Sequence, residues 1–504
     1  MSEEIRETLY SDINWLVKYA VERGLIDKCE EIYSTNLLID LFHENEYKEP
    51  ESFDNERDLE SVLDSLDDTA VSLGLIDDNK VSRDLFDTRI MNCVMMRPAE
   101  VRRRFAEEYR VSPEKATDFF YSLSRNSNYI RAARVARDIK WKTSTEYGDI
   151  DITINLSKPE KDPKAIAAAL KQGKSSYPKC QLCIENEGYA GRLDHPARQT
   201  HRIIPVSLRG EQYGFQYSPY SYFNEHCIVL NSKHVPMKVD KDTFLKLFDF
   251  VRQFPSYFLG SNADLPIVGG SILTHDHFQG GRYEFAMERA EEEMSFSVKG
   301  YEDVKACLIK WPVSVIRLRG SEMERVAELA DHILSVWRGY SDESVNIIAE
   351  TDGRPHNTIT PIARMREGEY EMDLALRNNL TTEDRPLGLF HPRAEYHHIK
   401  KENIGLIEVM GLAVLPSRLQ RELKSVERYM VNGDIDGIRN DEKTSSHADW
   451  AEDMMGRYDI TSDNAAEIVR YETGMVFCHV LEDAGVFKRT DEGKAAFSRF
   501  IESL

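Results

Sequence analysis

The strongest structural signal in this sequence is the segment 265–281, which reads LPIVGGSILTHDHFQGG. Two apolar runs are separated by Gly269 and Gly270, and the second run leads to His275 and His277. Side chains at positions i and i+2 of an extended strand point to the same face, so this spacing predicts a strand that presents two imidazoles side by side. The glycines let the backbone turn and let a ligand approach it closely. The segment therefore predicts a site in which one imidazole attacks a phosphorus atom while the main chain binds the phosphoryl oxygens.

Three interpretations of the histidine pair compete. Both histidines could be satisfied polar residues at a strand end, because histidine often only packs. A Thr-His-x-His sequence also begins a dinuclear zinc motif, but that motif continues with Asp and His, where this chain has Gln279 and Gly280. Gln is a poor ligand for a catalytic divalent ion, and Gly offers no side chain. The spacing and the following Gln favour the third interpretation, a nucleophilic histidine of the His-x-His-x-Gln type.

Gln279 indicates which reaction such a nucleophile would serve. A third histidine at this place can donate a proton to a poor leaving group, whereas an amide cannot titrate. The amide can only donate a hydrogen bond to a phosphoryl oxygen and steady a covalent intermediate. A leaving group that is already a phosphate needs no proton. The pattern thus favours transfer of a nucleotidyl group between two phosphates through a nucleotidyl-histidine.

With these residues the chain resembles the class II galactose-1-phosphate uridylyltransferases, also called UDP-glucose–hexose-1-phosphate uridylyltransferases, of the histidine-triad-like superfamily. The resemblance covers most of the 504 residues. The matching segments are 264–281 with HDHFQ, 177–183 (YPKCQLC), 187–192 (EGYAGR), 356–361 (HNTITP) and 395–398 (EYHH).

The resemblance implies a ping-pong reaction in galactose metabolism, the Leloir pathway. UDP-glucose would uridylylate His277 and release glucose 1-phosphate, and galactose 1-phosphate would then take the uridylyl group. The second histidine of the pair is the nucleophile in the superfamily, so His277 and Gln279 are the expected catalytic residues. A backbone carbonyl within the motif is expected to accept from the other ring nitrogen of His277.

The chain departs from the class I relatives beside the nucleophile. Those enzymes have Pro between the histidines and a Ser-Asn pair before them, where this chain has Asp276, Ile272 and Leu273. Strand alternation is expected to turn the carboxylate of Asp276 to the opposite face. Main-chain amides are expected to replace the missing phosphate contacts. The expected substrate-binding positions in this segment are Gly269, Gly270 and Ser271.

A zinc site is a further expectation. Of seven cysteines, only Cys180 and Cys183 have ligand spacing, and one such pair leaves open whether a metal is bound. The resemblance implies a structural zinc held by these two cysteines together with His234 and His275, a sound tetrahedral donor set. No diffusible cofactor is expected.

Charge limits the partners. The formal net charge of −22 argues against binding to nucleic acid or to an anionic membrane surface. Both expected substrates, UDP-glucose and galactose 1-phosphate, are anions and require a local basic pocket. Each basic residue alone is more often merely solvated. The candidates for the pocket are Lys140, Lys142, Arg192 and Arg282.

Periodicity predicts an α+β fold: a duplicated histidine-triad-like antiparallel sheet core with helical N- and C-terminal extensions. Residues 1–130 carry apolar residues at helical spacing, strand-like runs dominate 131–420, and helical spacing returns over 421–504. The core is expected to comprise two halves, 131–300 and 301–420. Its predicted elements include the strands 150–156 and 226–230 and the amphipathic helix 244–254.

The remaining expectations concern location and assembly. The sequence has no run of eighteen apolar residues, which a membrane-spanning helix would need. Scattered cysteines and an acidic start without a signal peptide favour a reducing cytoplasm. The resemblance to the family favours a homodimer. Two alternatives to the transferase stay open: a nucleotide hydrolase or phosphorylase of the same superfamily, and a non-catalytic sugar-nucleotide sensor.

Overall fold

The computed structural model describes residues 2–50, 56–157, 176–270 and 272–504. The chain starts with helices whose ends follow local capping signals. Ser2 precedes the first helix and its hydroxyl accepts from the N–H of Ile5 at 3.3 Å, and Ser112 caps a later helix that begins with Pro113. These helices are α1 (Glu3–Glu22), α2 (Glu31–Leu41), α3 (Leu59–Ser72), α4 (Lys80–Asn92), α5 (Pro98–Val111), α6 (Pro113–Asn126) and α7 (Ala132–Val135).

Strands follow over the middle of the chain. They are β1 (Ile139–Thr145), β2 (Gly148–Ile154), β3 (Ile204–Leu208), β4 (Glu211–Tyr217), β5 (Cys227–Asn231), β6 (Phe258–Gly260), β7 (His277–Gly281), β8 (Glu292–Phe296), β9 (Lys305–Ile309), β10 (Val315–Gly320), β11 (Glu350–Thr351), β12 (Arg354–Pro355), β13 (Asn357–Arg366), β14 (Glu369–Asn378) and β15 (Leu412–Leu415). Two longer helices lie between strands, α8 (Lys241–Gln253) and α9 (Met323–Gly339).

Ten of these strands form one antiparallel sheet in the order β3-β4-β5-β7-β6-β13-β14-β10-β9-β8. The sheet consists of two five-stranded halves with the same topology. In each half a three-stranded meander is followed by a helix, and the last strand then inserts beside the meander. The halves meet where Leu259 pairs with Ala363. This architecture confirms the predicted α+β class and the duplicated antiparallel core.

Helices α8 and α9 cover one face of this sheet. Asp240 and Thr243 form a capping box at the start of α8, and Phe244 and Phe250 share a buried cluster with Phe278 of β7. Because side chains alternate along a strand, His277 and Gln279 point to the opposite face. That face of β7 is therefore the one on which a site can open.

The C-terminal helices pack near a smaller three-stranded sheet, β1-β2-β15, in which β15 runs parallel to β2. The indole Nε1 of Trp141 on β1 donates to the carbonyl of Arg470 at 3.1 Å.

The domain boundaries at 130, 300 and 420 stay predictions. None of the helices in the described ranges is long and apolar enough to cross a bilayer. The C-terminal helices are α10 (Leu406–Val409), α11 (Leu419–Val431), α12 (Ile435–Asn440), α13 (Ala448–Arg457), α14 (Ala465–Ala484) and α15 (Asp491–Glu502).

Candidate active site

The histidine pair lies at the start of β7, where that strand enters the sheet between β5 and β6. The strand begins at His277, so the prediction of one strand through both histidines is wrong: His275 lies in the bend before it. Contacts distant in sequence produce this bend. The N–H of Asp276 donates to the carbonyl of Val235 at 2.7 Å, and the N–H of Asn231 donates to the carbonyl of Asp276 at 2.9 Å.

The imidazole of His277 is buried and held in one tautomer. Its Nδ1 lies 2.7 Å from the carbonyl oxygen of His275, and since a carbonyl only accepts, Nδ1 carries the proton. Nε2 then has a free lone pair, and no hydrogen-bond partner for it occurs among the described residues. Burial lowers the pKa of His277, which favours the neutral ring. The expected backbone acceptor within the motif is thus present, and the ring can offer Nε2 to an electrophile.

Gln279 lies two residues further along β7, so its side chain is on the same face as the imidazole of His277. Its Oε1 lies 3.2 Å from Nε2 of His226, a residue just before β5. Burial lowers the pKa of His226 to about 4, so that ring is neutral at neutral pH. Sequence reasoning did not identify His226 as a site residue, and only its position as the first residue of the predicted strand 226–230 could have drawn attention to it.

Asp276 points away from the face of β7 that carries His277 and Gln279. Its Oδ2 accepts from the hydroxyl of Tyr213 at 2.6 Å and from Nδ2 of Asn231 at 3.1 Å. The Tyr213 ring stacks on Phe278, with 5.7 Å between centroids, on the helix-covered side. The expectation that Asp276 turns to the opposite face is confirmed. The roles of Tyr213 and Asn231 left no signal in the sequence.

A four-residue donor group lies beside the histidine pair. The ligand atoms of Cys180, Cys183, His234 and His275 all lie within 4.8 Å of one another. Sγ of Cys180 is 3.5 Å from Sγ of Cys183 and 3.2 Å from Nδ1 of His275, and Sγ of Cys183 is 3.2 Å from Nδ1 of His234. A tetrahedral zinc with bonds of about 2.0–2.3 Å would separate its ligand atoms by about 3.3–3.8 Å. The four residues therefore fit a zinc ion.

Hydrogen bonds outside this donor group hold its members in place. Nε2 of His275 donates to the carbonyl of Asn231 at 2.8 Å, which leaves Nδ1 free to bind a metal. Nδ2 of Asn186 donates to the carbonyls of Cys180 and Cys183 at 2.9 and 2.8 Å, and Oδ1 of Asn186 accepts from Nε2 of His195 at 2.7 Å. Such outer contacts orient the donors of a metal site.

Two of the four basic candidates are engaged by acidic residues close to the site. Nε of Arg282, just after β7, lies 2.8 Å from Oε1 of Glu225, and its Nη2 lies 2.5 Å from Oδ1 of Asp118. Arg192 contacts Asp194 and donates to the carbonyl of Tyr177 at 3.0 Å. These contacts would compete with a substrate phosphate for either arginine, and both assignments stay predictions.

The other two basic candidates lie on the smaller sheet. Lys140 and Lys142 are exposed on β1, and Nζ of Lys142 lies 3.5 Å from Oδ1 of Asp151 on β2. The contacts of the described residues do not join the four basic candidates into one group, and the two lysines likewise stay predictions.

The glycines before the histidine pair pack tightly against the segment after β6. A Cβ atom on Gly269 would lie 2.5 Å from the carbonyl of Ala263, and one on Gly270 would lie 2.7 Å from Nδ2 of Asn262. A side chain at position 269 would thus collide with backbone, and one at position 270 would displace the side chain of Asn262. Ser271, the third predicted substrate-binding position of this segment, lies outside the described residues.

The sequence matches two family models: galactose-1-phosphate uridyl transferase, N-terminal domain, over residues 25–236, and the C-terminal domain over residues 250–452. The chain is 52% identical to the galactose-1-phosphate uridylyltransferase of Clostridium acetobutylicum, covering 98% of this chain and 99% of that protein. It is 53% identical to that of Caldanaerobacter subterraneus subsp. tengcongensis, covering 97% of both. It is 48% identical to that of Streptococcus mutans, covering 98% of this chain and 99% of that protein.

A solved structure, that of yeast Ap4A phosphorylase Apa2, aligns with 66% of this chain and 95% of its own at 10% identity. The TM-score of 0.36 is too low for this likeness to bear on the fold.

Proposed function

The chain belongs to the galactose-1-phosphate uridylyltransferase family, and we propose that it moves a uridylyl group between UDP-glucose and galactose 1-phosphate. One observation supports this most directly: the unprotonated Nε2 of His277 and the amide of Gln279 share the face of β7 that α8 and α9 do not cover. The nucleophile is held neutral, and the amide of Gln279 can donate a hydrogen bond but cannot transfer a proton to a leaving group. This combination suits exchange between two phosphates, since neither leaving group needs a proton.

In the first half-reaction Nε2 of His277 attacks the α-phosphorus of UDP-glucose. The Nε2–P bond forms and the bond from phosphorus to the bridging oxygen breaks, so glucose 1-phosphate leaves with the electron pair. Its phosphate needs no proton from the protein, which agrees with an amide at position 279. The ring becomes positively charged while Nδ1 keeps its proton, and the carbonyl of His275 at 2.7 Å stabilises that charge.

Gln279 would donate its amide N–H to an oxygen of the phosphoryl group under attack. The hydrogen bond strengthens as negative charge builds on that oxygen in the transition state. In the second half-reaction a phosphate oxygen of galactose 1-phosphate attacks the same phosphorus, the N–P bond breaks, and UDP-galactose leaves. His277 returns to its neutral form with the proton still on Nδ1, so the cycle is balanced.

We also propose that Cys180, Cys183, His234 and His275 hold a structural zinc ion. When bound, zinc would fix the ring of His275 through Nδ1 and tie it to the other three donors, and it would take no part in the bond changes. The carbonyl of the same residue accepts from Nδ1 of His277. A rigid His275 would therefore hold the nucleophile in its tautomer and orientation.

Incubation of the protein with UDP-glucose alone tests the transferase against its alternatives. A transferase releases about one equivalent of glucose 1-phosphate and stops, and galactose 1-phosphate restarts the reaction with formation of UDP-galactose. Continuous release of UMP or of glucose 1-phosphate without an acceptor would contradict the proposal in favour of a hydrolase. Binding without any release would favour a sugar-nucleotide sensor.

A further inference from the structure

His226 is a buried residue beside the active site that the reaction described above does not use. It is 2% exposed, and its ring lies between Tyr222 and Phe223, with centroid distances of 5.4 and 4.6 Å. Nε2 of this ring lies 3.2 Å from Oε1 of Gln279, while Nδ1 is buried and has no partner in the described part of the chain. The Gln279 amide is thus its one polar contact among the described residues.

The sheet register keeps the two side chains together. Ile228 of β5 pairs directly with Gln279 of β7, and His226 precedes Ile228 by two residues. The aromatic neighbours Tyr222 and Phe223 restrict rotation of the imidazole. The ring therefore meets the glutamine amide from a fixed direction.

In the structure Oε1 of Gln279 faces the ring of His226, and this orientation fixes which ring nitrogen carries the proton. Glutamine Oε1 can only accept, so Nε2 of His226 must carry the proton of the neutral ring. A ring that donates here holds Oε1 on its own side and turns the NH2 group of Gln279 away from it. With the opposite amide orientation, a carbonyl oxygen would face a phosphoryl oxygen and repel it.

We propose that His226 is a positioning residue for the transfer reaction: it donates from Nε2 to Oε1 of Gln279 and so directs the Gln279 amide N–H toward the transferred phosphoryl group. This inference rests on the proposed function. His226 acts through Gln279 and touches neither the nucleophile nor the phosphorus.

A double-mutant cycle on the burst of glucose 1-phosphate tests the proposal. His226→Phe keeps a ring between Tyr222 and Phe223 but removes the donor, and it is expected to slow the burst about tenfold, which is less than the loss expected on removing the Gln279 donor itself. In a Gln279→Ala background the same change is expected to alter the rate by less than about twofold, because the group it orients is gone. A purely structural role would give the same factor in both backgrounds.

Rescue by a conservative variant supplies the second readout. The amide nitrogen of glutamine occupies nearly the place of imidazole Nε2, so His226→Gln is expected to keep the burst rate within about threefold of the parent. Asparagine is too short to reach that place, and His226→Asn should resemble His226→Phe. His226→Asn takes the place of His226→Phe in the double-mutant cycle if His226→Phe does not fold. Equal losses in both Gln279 backgrounds, or no rescue by His226→Gln, would overturn the proposal.

The burst measured with the parent protein distinguishes a failure of this inference from a failure of the proposed function. A parent that releases no glucose 1-phosphate contradicts the transferase and the His226 inference together. A parent that gives a normal burst while the cycle is additive contradicts the role of His226 alone.

Discussion

Replacing Gln279 by alanine removes one hydrogen-bond donor from the phosphoryl group that His277 would attack. The two residues lie on the same face of β7, and two residues of strand span about 6.6–6.8 Å. A long amide side chain can therefore reach an oxygen of a phosphorus bound near Nε2. A single donor aimed at developing charge contributes about 10²–10³ in rate. Because Gln279 is neutral and only half-buried, the lower end applies: about 10²-fold, or about 2.7 kcal/mol.

Single-turnover kinetics measure this loss without interference from product release. Rapid-quench release of glucose 1-phosphate reports the first half-reaction, and UDP-galactose formation from the uridylylated protein reports the second. The same phosphoryl group reacts in both, so both rates should fall by a similar factor while the extent of labelling stays near one equivalent.

Gln420→Ala is a matched control, since this half-buried glutamine lies on α11, which packs against α14 in the C-terminal part of the chain. Its rates should equal those of the parent. A fall of less than about threefold for Gln279→Ala would refute the reasoning, because it would reduce Gln279 to a packing role.

Three further predictions concern the surroundings of the nucleophile and the N-terminal helices. Asp276→Asn keeps an acceptor for the Tyr213 hydroxyl, so exchange should stay within about threefold of the parent, and a loss beyond about 10²-fold would show that the carboxylate takes part in the chemistry. Protein purified without chelators should hold about one zinc per chain by elemental analysis, and Cys183→Ser should lower both zinc content and melting temperature; less than about a tenth of an equivalent in the parent would exclude the metal. Burial, together with the nearby Asp87, raises the pKa of Asp67 to about 8, against about 3.9 in the unfolded chain. The protonated carboxyl of Asp67 therefore contributes fully to the stability of the fold below about pH 3.9, and this contribution is lost as the pH rises through 8. Asp67→Asn should therefore raise the melting temperature more at pH 8 than at pH 5, and the reverse order would contradict this sign.

Sequence periodicity predicted the helices and strands of the core well where they depend on neighbouring residues. The helix expected at 244–254 is α8, and it begins earlier because Asp240 and Thr243 cap it. The strand expected at 226–230 is β5, shifted by one residue. The bend before His277 was missed, because it depends on the contact between Asp276 and Val235, which are distant in sequence. Apolar periodicity carries no information about such a contact.

The candidate site was predictable to a similar extent. The resemblance identified four donors that the fold brings within 4.8 Å, and it anticipated the backbone acceptor for His277. His226 could not be assigned, since its relation to Gln279 arises from the pairing of β5 with β7. Arg282 was named for its position after the motif, but its ion pairs with Glu225 and Asp118 become visible only in the folded chain.

Intact-protein mass spectrometry after exposure to UDP-glucose alone tests the central claim most directly, with His277→Ala treated in parallel. Covalent transfer at Nε2 of His277 predicts a gain of one uridylyl unit on the parent and none on the folded variant. Galactose 1-phosphate should then remove the adduct from the parent with formation of UDP-galactose. An adduct on both proteins, or none on a folded parent that still exchanges the two sugar phosphates, would contradict a uridylyl-histidine at His277.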